Sequence, residues 1–156
     1  MTQTAAALTT DARADIVEAL NQSVAETAVA TMLAQNFHWN VTGMAFGPLH
    51  DLFQKIYEDH FVAQDDLAER IKALDAHAEG TLAGMLKRSK VKEHDGHAEA
   101  QDMIKALQEA QETLAATLAG CGQVAAEHGD TLTEDLCIAR GQTHEKFAWL
   151  LRAHLA

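Results

Sequence analysis

A chain of 156 residues, 47% of them hydrophobic, is long enough for one domain with a real core and too apolar to be disordered. Its formal net charge of −11 excludes a general affinity for nucleic acid or anionic membrane, both of which need a basic face, and suits cations instead. Abundant alanine and a single proline, Pro48, point to an all-helical domain.

Residues 1–10 read as a short flexible Ala/Thr tail and residues 11–156 as one domain. The tail lacks the basic region and apolar run of a secretory signal. No 18-residue apolar stretch is present, so the expected location is the cytoplasm. The first helix is predicted to start at Thr10 or Asp11, either of which suits a cap. Ile16, Leu20, Val24, Thr27 and Met32 recur at helical spacing to about Val41, and Gly43 ends the run. After a brief turn, Pro48 suits the first position of a second helix. Leu49, Leu52, Phe53, Ile56, Leu67, Ile71 and Leu74 supply its apolar content.

Residues 75–97 are the least regular, with Leu82, Met85 and Leu86 fitting one short helix and Lys87, Arg88, Lys90 and Lys92 forming the only basic cluster. A third long helix is predicted from about Ala98 to Glu127, with Gly129 as its C-cap residue. Its stripe runs through Met103, Leu107, Ala110, Leu114, Leu118, Cys121 and Val124 or Ala125. The fourth starts at Thr131, which has capping-box spacing to Glu134. It continues through Leu132, Leu136, Thr143, Phe147, Leu150 and Leu151. Four long helices with one longer connection make a four-helix bundle with a crossover. Cys121 and Cys137 are too few for a disulfide framework and read as buried, reduced, small hydrophobes.

His38, His50, Asp65 and Glu69 are the residues that suggest chemistry. Asp65 and Glu69 are four apart and share one helix face. His38 ends the first helix and His50 begins the second, so both histidines sit at one end of an antiparallel hairpin. Asp65 lies fifteen positions beyond His50, roughly 22 Å along a helix at about 1.5 Å per residue. No single ion spans that gap. If the four share a metal, two chains paired about a two-fold axis must supply them, giving two identical sites. Imidazole with carboxylate suits Fe(II), with zinc the alternative from ligand type. A plainer reading stands beside this one: spaced carboxylates are commonly just solvated, and a helix-end histidine commonly serves the dipole. No histidine has a glutamate three residues before it, which argues against an iron site inside one bundle.

The run Asn36-Phe37-His38-Trp39-Asn40-Val41-Thr42-Gly43, then Phe46, Leu49-His50, Phe53 and Tyr57, then Asp65 and Ala68-Glu69-Arg70, resembles the Dps family, the miniferritins. Both gaps between the ligand residues agree with the family pattern. The resemblance extends over about residues 11–155, including Phe147-Ala148-Trp149 and Leu151-Arg152-Ala153. It implies a ferritin-like four-helix bundle with a short extra helix in the connection between helices two and three. It also implies a hollow dodecamer with ferroxidase sites at its two-fold interfaces. His38 and His50 of one subunit, with Asp65 and Glu69 of its neighbour, would bind Fe(II). The iron would be oxidised, preferably with hydrogen peroxide, and stored as ferric mineral, an iron-storage and detoxification activity under oxidative stress.

Two departures from the pattern stand out. Many members carry an acid four residues after the second histidine, where this chain has Gln54, a weaker neutral ligand. One well-held iron per site is therefore expected, the second held loosely with help from Asp51 or water. Residues 1–12 contain no Lys or Arg, whereas DNA-binding members often have a lysine-rich tail. Tail-mediated DNA binding is not expected, although a nucleoid-associated protein shielding DNA by co-condensation is the alternative function. A cage that binds zinc without turnover is a third. The resemblance further suggests Trp39 as an electron donor beside the iron, the other reading being an interface aromatic. Asp130, Glu134 and Asp135 are candidates for an acidic iron-inlet pore, although acids at a helix start also offset its dipole. His60, His77, His94, His97, His128, His144 and His154 have no evident partner and are expected to be mostly exposed.

Overall fold

A computed structural model describes residues 4–156. Five α-helices form an all-α bundle: α1 (Thr10–Asn40), α2 (Phe46–Ala73), α3 (Leu82–Arg88), α4 (Ala100–Glu127) and α5 (Thr131–Ala153). Short turns join α1 to α2 and α4 to α5. The two hairpins pack through α1 and α4, and the long connection carrying α3 lies against α1. None of the described helices is long and apolar enough to cross a membrane.

Two capping residues and two helix starts differ from the expected ones. Thr9, not Thr10 or Asp11, caps α1, its hydroxyl accepting from Ala12 N. The second helix starts at Phe46, which makes Pro48 its third residue rather than its first. That position is tolerated because the first N–H groups of a helix have no partner inside it; the first bond comes from Leu49 N to Ala45 O. The third long helix begins at Ala100, after Glu99. Asp130, not Thr131, caps α5, accepting from Thr133 N, so the expected Thr131–Glu134 capping box does not form. The expected tail is partly built into the fold: Ala5–Ala7 make a 3-10 turn and Leu8 is buried against the bundle. Residues 1–3 of that tail lie outside the described residues.

Two apolar clusters form the core. One gathers Phe37, Leu49, Phe53, Ile56, Met103, Leu107, Phe147 and Leu151 at the end where α1 turns into α2. The other gathers Ile16, Leu20, Leu67, Ile71, Leu74, Leu118 and both cysteines. A polar layer separates them along α2, α4 and α5. His60 and His144, expected at the surface, are fully buried there with Gln111.

Tautomer logic closes this layer into a ring. Arg140 Nη2 approaches His144 Nε2 at 3.4 Å, and His144 Nδ1 donates to Gln111 Oε1 at 2.8 Å. Gln111 Nε2 donates to His60 Nε2 at 3.0 Å, and His60 Nδ1 donates to Asp59 Oδ2 at 3.2 Å. Two Arg140–Asp59 bonds complete the circuit. Every ring nitrogen is engaged with both imidazoles neutral, and a further proton has no acceptor to meet.

Burial pushes His60 down, against its hydrogen bond to Asp59, and pushes His144 down to about 2. Burial works to raise Asp59, but hydrogen bonds from His60 and Arg140 outweigh it and hold that carboxyl well below its usual range. The unfolded chain therefore binds protons that the folded chain refuses. The stabilisation from neutral histidine is complete above about pH 6.5 and declines as pH falls below it. For His144 alone the loss between about pH 6.5 and pH 5 is about 2 kcal/mol, at ~1.4 kcal/mol per pH unit. Urea midpoints measured across this range are expected to fall with acidity, and His144→Gln to flatten the dependence by that amount. An unchanged slope in the variant would contradict the neutral ring.

Candidate metal centre

His38 is the antepenultimate residue of α1 and is buried; His50 is the fifth residue of α2 and half-buried. The turn between them closes because Gly43 adopts φ +102°, which a residue with a Cβ rarely takes. The imidazoles stack with centroids 3.7 Å apart and planes 19° from parallel. Their hydrogen bonds cross: His38 Nδ1 donates to His50 O, and His50 Nδ1 donates to His38 O, each at 2.8 Å. Both Nδ1 atoms therefore carry the proton, and both Nε2 atoms are lone-pair donors with no partner among the described residues. Tyr57 meets the His38 ring edge-on, and Phe46 stacks on His50, so aromatic neighbours fix the plane of the pair.

Other residues of the same sequence run are structural. Phe37 is fully buried in the core, and Asn36 Nδ2 donates to His94 O at 2.7 Å, tying the long connection to α1. Trp39 is 63% exposed.

Asp65 and Glu69 are exposed on α2, a long way down the helix from His50, and neither makes a hydrogen bond among the described residues. Asp51 is likewise exposed. Gln54 donates its amide to Glu58 at 2.7 Å, which leaves its oxygen as the free ligand atom. Among the described residues, no three His, Cys, Asp or Glu side chains of one chain converge to hold an ion. One protomer thus offers two separated half-sites: two nitrogens at one end of α2, two carboxylates toward the other.

Two apolar hollows meet at Met85 of α3. Met32, Trp39, Leu82 and Leu86 line a hollow floored by Met85. A second hollow shares Met85 and is lined by Phe61, Val62, Ala68 and Asp65 itself. Met32, expected in the core stripe of the first helix, is half exposed in the first of them.

The expected pore residues divide. Asp130 is fully buried, so it cannot line an opening. Its carboxylate takes two bonds from Arg70, at 2.8 and 3.0 Å, and further bonds from the Thr133 backbone and hydroxyl. Burial works to raise Asp130, but the bonds from Thr133 and Arg70 hold it below the usual carboxylate range. Glu134 is half-buried and Asp135 exposed.

The Ala68-Glu69-Arg70 run thereby splits its roles: Glu69 faces outward and Arg70 reaches across to α5. The signal for this inward polar set was register. His60 continues the Phe53–Ile56 stripe, while Thr133, Cys137, Arg140, His144, Phe147 and Leu151 keep steps of three and four along α5.

The described helices and their connections define a ferritin-like protein, and the Ferritin-like domain family matches residues 17–156. The chain belongs to the Dps family. It is 34% identical to General stress protein 20U of Bacillus subtilis over 140 residues, covering 90% of this chain and 97% of that protein. It is 32% identical to DNA protection during starvation protein 2 of Bacillus anthracis over 140 residues, covering 90% and 96%. The Dps structure from Vibrio cholerae O1, described as a member of a broad superfamily of ferritin-like diiron-carboxylate proteins, superposes with a TM-score of 0.93. That pair is 31% identical over 100% of this chain and 98% of the other.

Arg70→Ala leaves the buried Asp130 carboxylate without its cation, which is expected to cost about 3–5 kcal/mol. Thermal unfolding of this variant beside Arg70→Ala/Asp130→Ala checks it. The double variant should recover part of the loss, and equal stability of all three proteins would contradict the pairing.

Proposed function

We propose that the chain is an iron-storage and detoxification protein of the Dps type. It oxidises Fe(II) at sites shared by two subunits and stores the ferric product inside a closed shell, taken as twelve copies of the 16.9 kDa chain. The observation that carries this reading is the histidine pair, with both Nδ1 atoms locked to carbonyls and both Nε2 atoms without a partner, and no third His, Cys, Asp or Glu converging on them among the described residues. Two apolar hollows, one reaching Asp65 and the other Trp39 beside His38, support burial against a second copy. A two-fold pairing along α2 sets the nitrogens of one chain against Asp65 and Glu69 of the other.

Iron is the substrate. The imidazoles bind Fe(II), and the carboxylates favour the Fe(III) that forms, because an added positive charge is held more strongly by anions. Hydrogen peroxide suits the reaction, since two irons give one electron each and peroxide takes both to become water. Trp39, one residue from His38 and exposed on the pairing face, is placed to quench a stray one-electron oxidant. Glu134 and Asp135 remain the candidates for guiding iron inward. The neutral Gln54 leaves the second iron position weaker than the first. The family name of several relatives refers to DNA protection, and removing Fe(II) together with peroxide serves that end without contact with DNA. The net charge of −11 per chain favours this route over co-condensation.

Anaerobic loading with Fe(II), then peroxide, followed by ultraviolet absorbance, tests the reading. The native protein should form ferric product rapidly, whereas His50→Ala and Asp65→Ala should each slow it by at least ~10-fold while the native mass stays that of the shell. Bound metal without oxidation would favour the zinc cage instead. Calorimetric titration with Fe(II) should give one tight iron per site in the native protein and two in Gln54→Asp. Two tight irons in the native protein would contradict the role given to Gln54.

A further inference from the structure

Besides its core stripe, α2 carries a second stripe on its outer side. His50, Gln54, Glu58, Phe61, Asp65 and Glu69 recur at steps of three and four, so they share a single face of the helix, about 100° wide at 3.6 residues per turn. The core is met on the other side, through Phe53, Ile56, His60 and Leu67. Glu58, Phe61, Asp65 and Glu69 are all exposed, Phe61 at 72%. Beyond His50, the one side-chain hydrogen bond of the stripe among the described residues stays inside it: Gln54 Nε2 donates to Glu58 Oε1 at 2.7 Å. The stripe bears a nitrogen ligand at one end and carboxylates at the other. An antiparallel copy of itself is the surface that matches it at both ends.

We propose that two copies of the chain pair stripe against stripe, in a register that brings the two Glu58 carboxylates face to face on the two-fold axis. This register rests on the shared site proposed above. If His50 of one copy meets Asp65 and Glu69 of the other, the axis crosses α2 midway between them. The midpoint with Asp65 falls between Tyr57 and Glu58, and the midpoint with Glu69 between Asp59 and His60. Of the two residues so bracketed, Asp59 is bonded to Arg140 and His60 within its own chain, and Glu58 stands exposed on the stripe. Each His50 then lies about 13 Å along α2 from the axis, and each Phe61 about 4 Å, where α2 of the second copy covers it.

Two like charges that meet on an axis oppose the pairing they belong to. The Gln54 amide offsets part of this by donating to the carboxylate in each copy. An acid in its place would add two more negative charges within about 7 Å of the axis along the helix. The neutral side chain at position 54 therefore serves assembly, besides weakening the second iron position.

Glu58→Cys tests the register, because a residue on the axis meets its own copy. The assembled full-length variant is oxidised mildly, denatured in N-ethylmaleimide and weighed, with peptide mapping of any link. The expected product is a covalent dimer joined through position 58 of both chains, whereas Asp51→Cys, about 11 Å from the axis, should give none. Glu58→Gln gives a second reading without a new thiol, and decides alone where Glu58→Cys does not assemble. With both charges gone from the axis, its subunits should exchange with isotope-labelled copies at least ~3-fold more slowly than native ones do. Iron oxidation by the native protein is followed alongside. Ferric product with no link at position 58 in a Glu58→Cys assembly of native mass would overturn the register and leave the shared site standing. No ferric product would remove that site, and the register with it. Exchange of Glu58→Gln as fast as native would overturn the contact between like charges.

Discussion

Two crossed hydrogen bonds, each 2.8 Å, decide which nitrogens this protein turns outward. An imidazole free to choose its tautomer is an indifferent metal ligand, since half of its states present a proton. Here the backbone at the end of α1 and the start of α2 makes the choice, and each histidine holds the other through its own carbonyl. The turn through Gly43, the burial of Phe37 and the packing of Leu49 all act on the metal centre by holding these two helix ends together. The arrangement also imposes its own incompleteness: nitrogen donors at one end of a straight helix cannot reach carboxylates several turns away on that helix. In the proposed centre, chemistry and assembly are therefore a single requirement.

The bundle that carries the site is a stack of unlike layers. Apolar clusters fill both ends, and between them α2, α4 and α5 share a closed circuit of Asp59, His60, Gln111, Arg140 and His144. Such a circuit fixes helix register, because sliding one helix would strand buried donors and acceptors. Arg70 and Asp130 repeat the device nearer the start of α5. Register matters to the proposed centre, in which the separation along α2 between His50 and Asp65 matches the offset between two paired chains.

Much of this was legible in the amino-acid order. The four long helices and the short one follow from apolar residues at steps of three and four, and the separation of the two histidines from the two carboxylates follows from helix rise alone. Positions that the sequence reading misplaced have a common physical cause. His60, His144 and Asp130 are polar or charged, and such residues are normally solvated; their register marks an inward face, but the partners that satisfy them lie on other helices at separations no local pattern encodes. Met32 is the converse, an apolar residue of the expected core stripe that is half exposed, beside the exposed Trp39 and Leu82. The helices capped by Thr9 and Asp130 start at Thr10 and Thr131 as expected and only the capping residue differs, whereas α2 and α4 each start two residues from the expected position.

A complementation experiment addresses the divided site most directly. One variant lacks the nitrogens (His38→Ala/His50→Ala) and the other lacks the carboxylates (Asp65→Ala/Glu69→Ala), and each is expected to be inactive in iron oxidation. Dissociated, mixed in equal amounts and reassembled, they should regain about a quarter of native activity, because random pairing places intact histidines opposite intact carboxylates at that fraction of sites. Mixed shells with no more activity than the two parents would contradict a centre built from two chains.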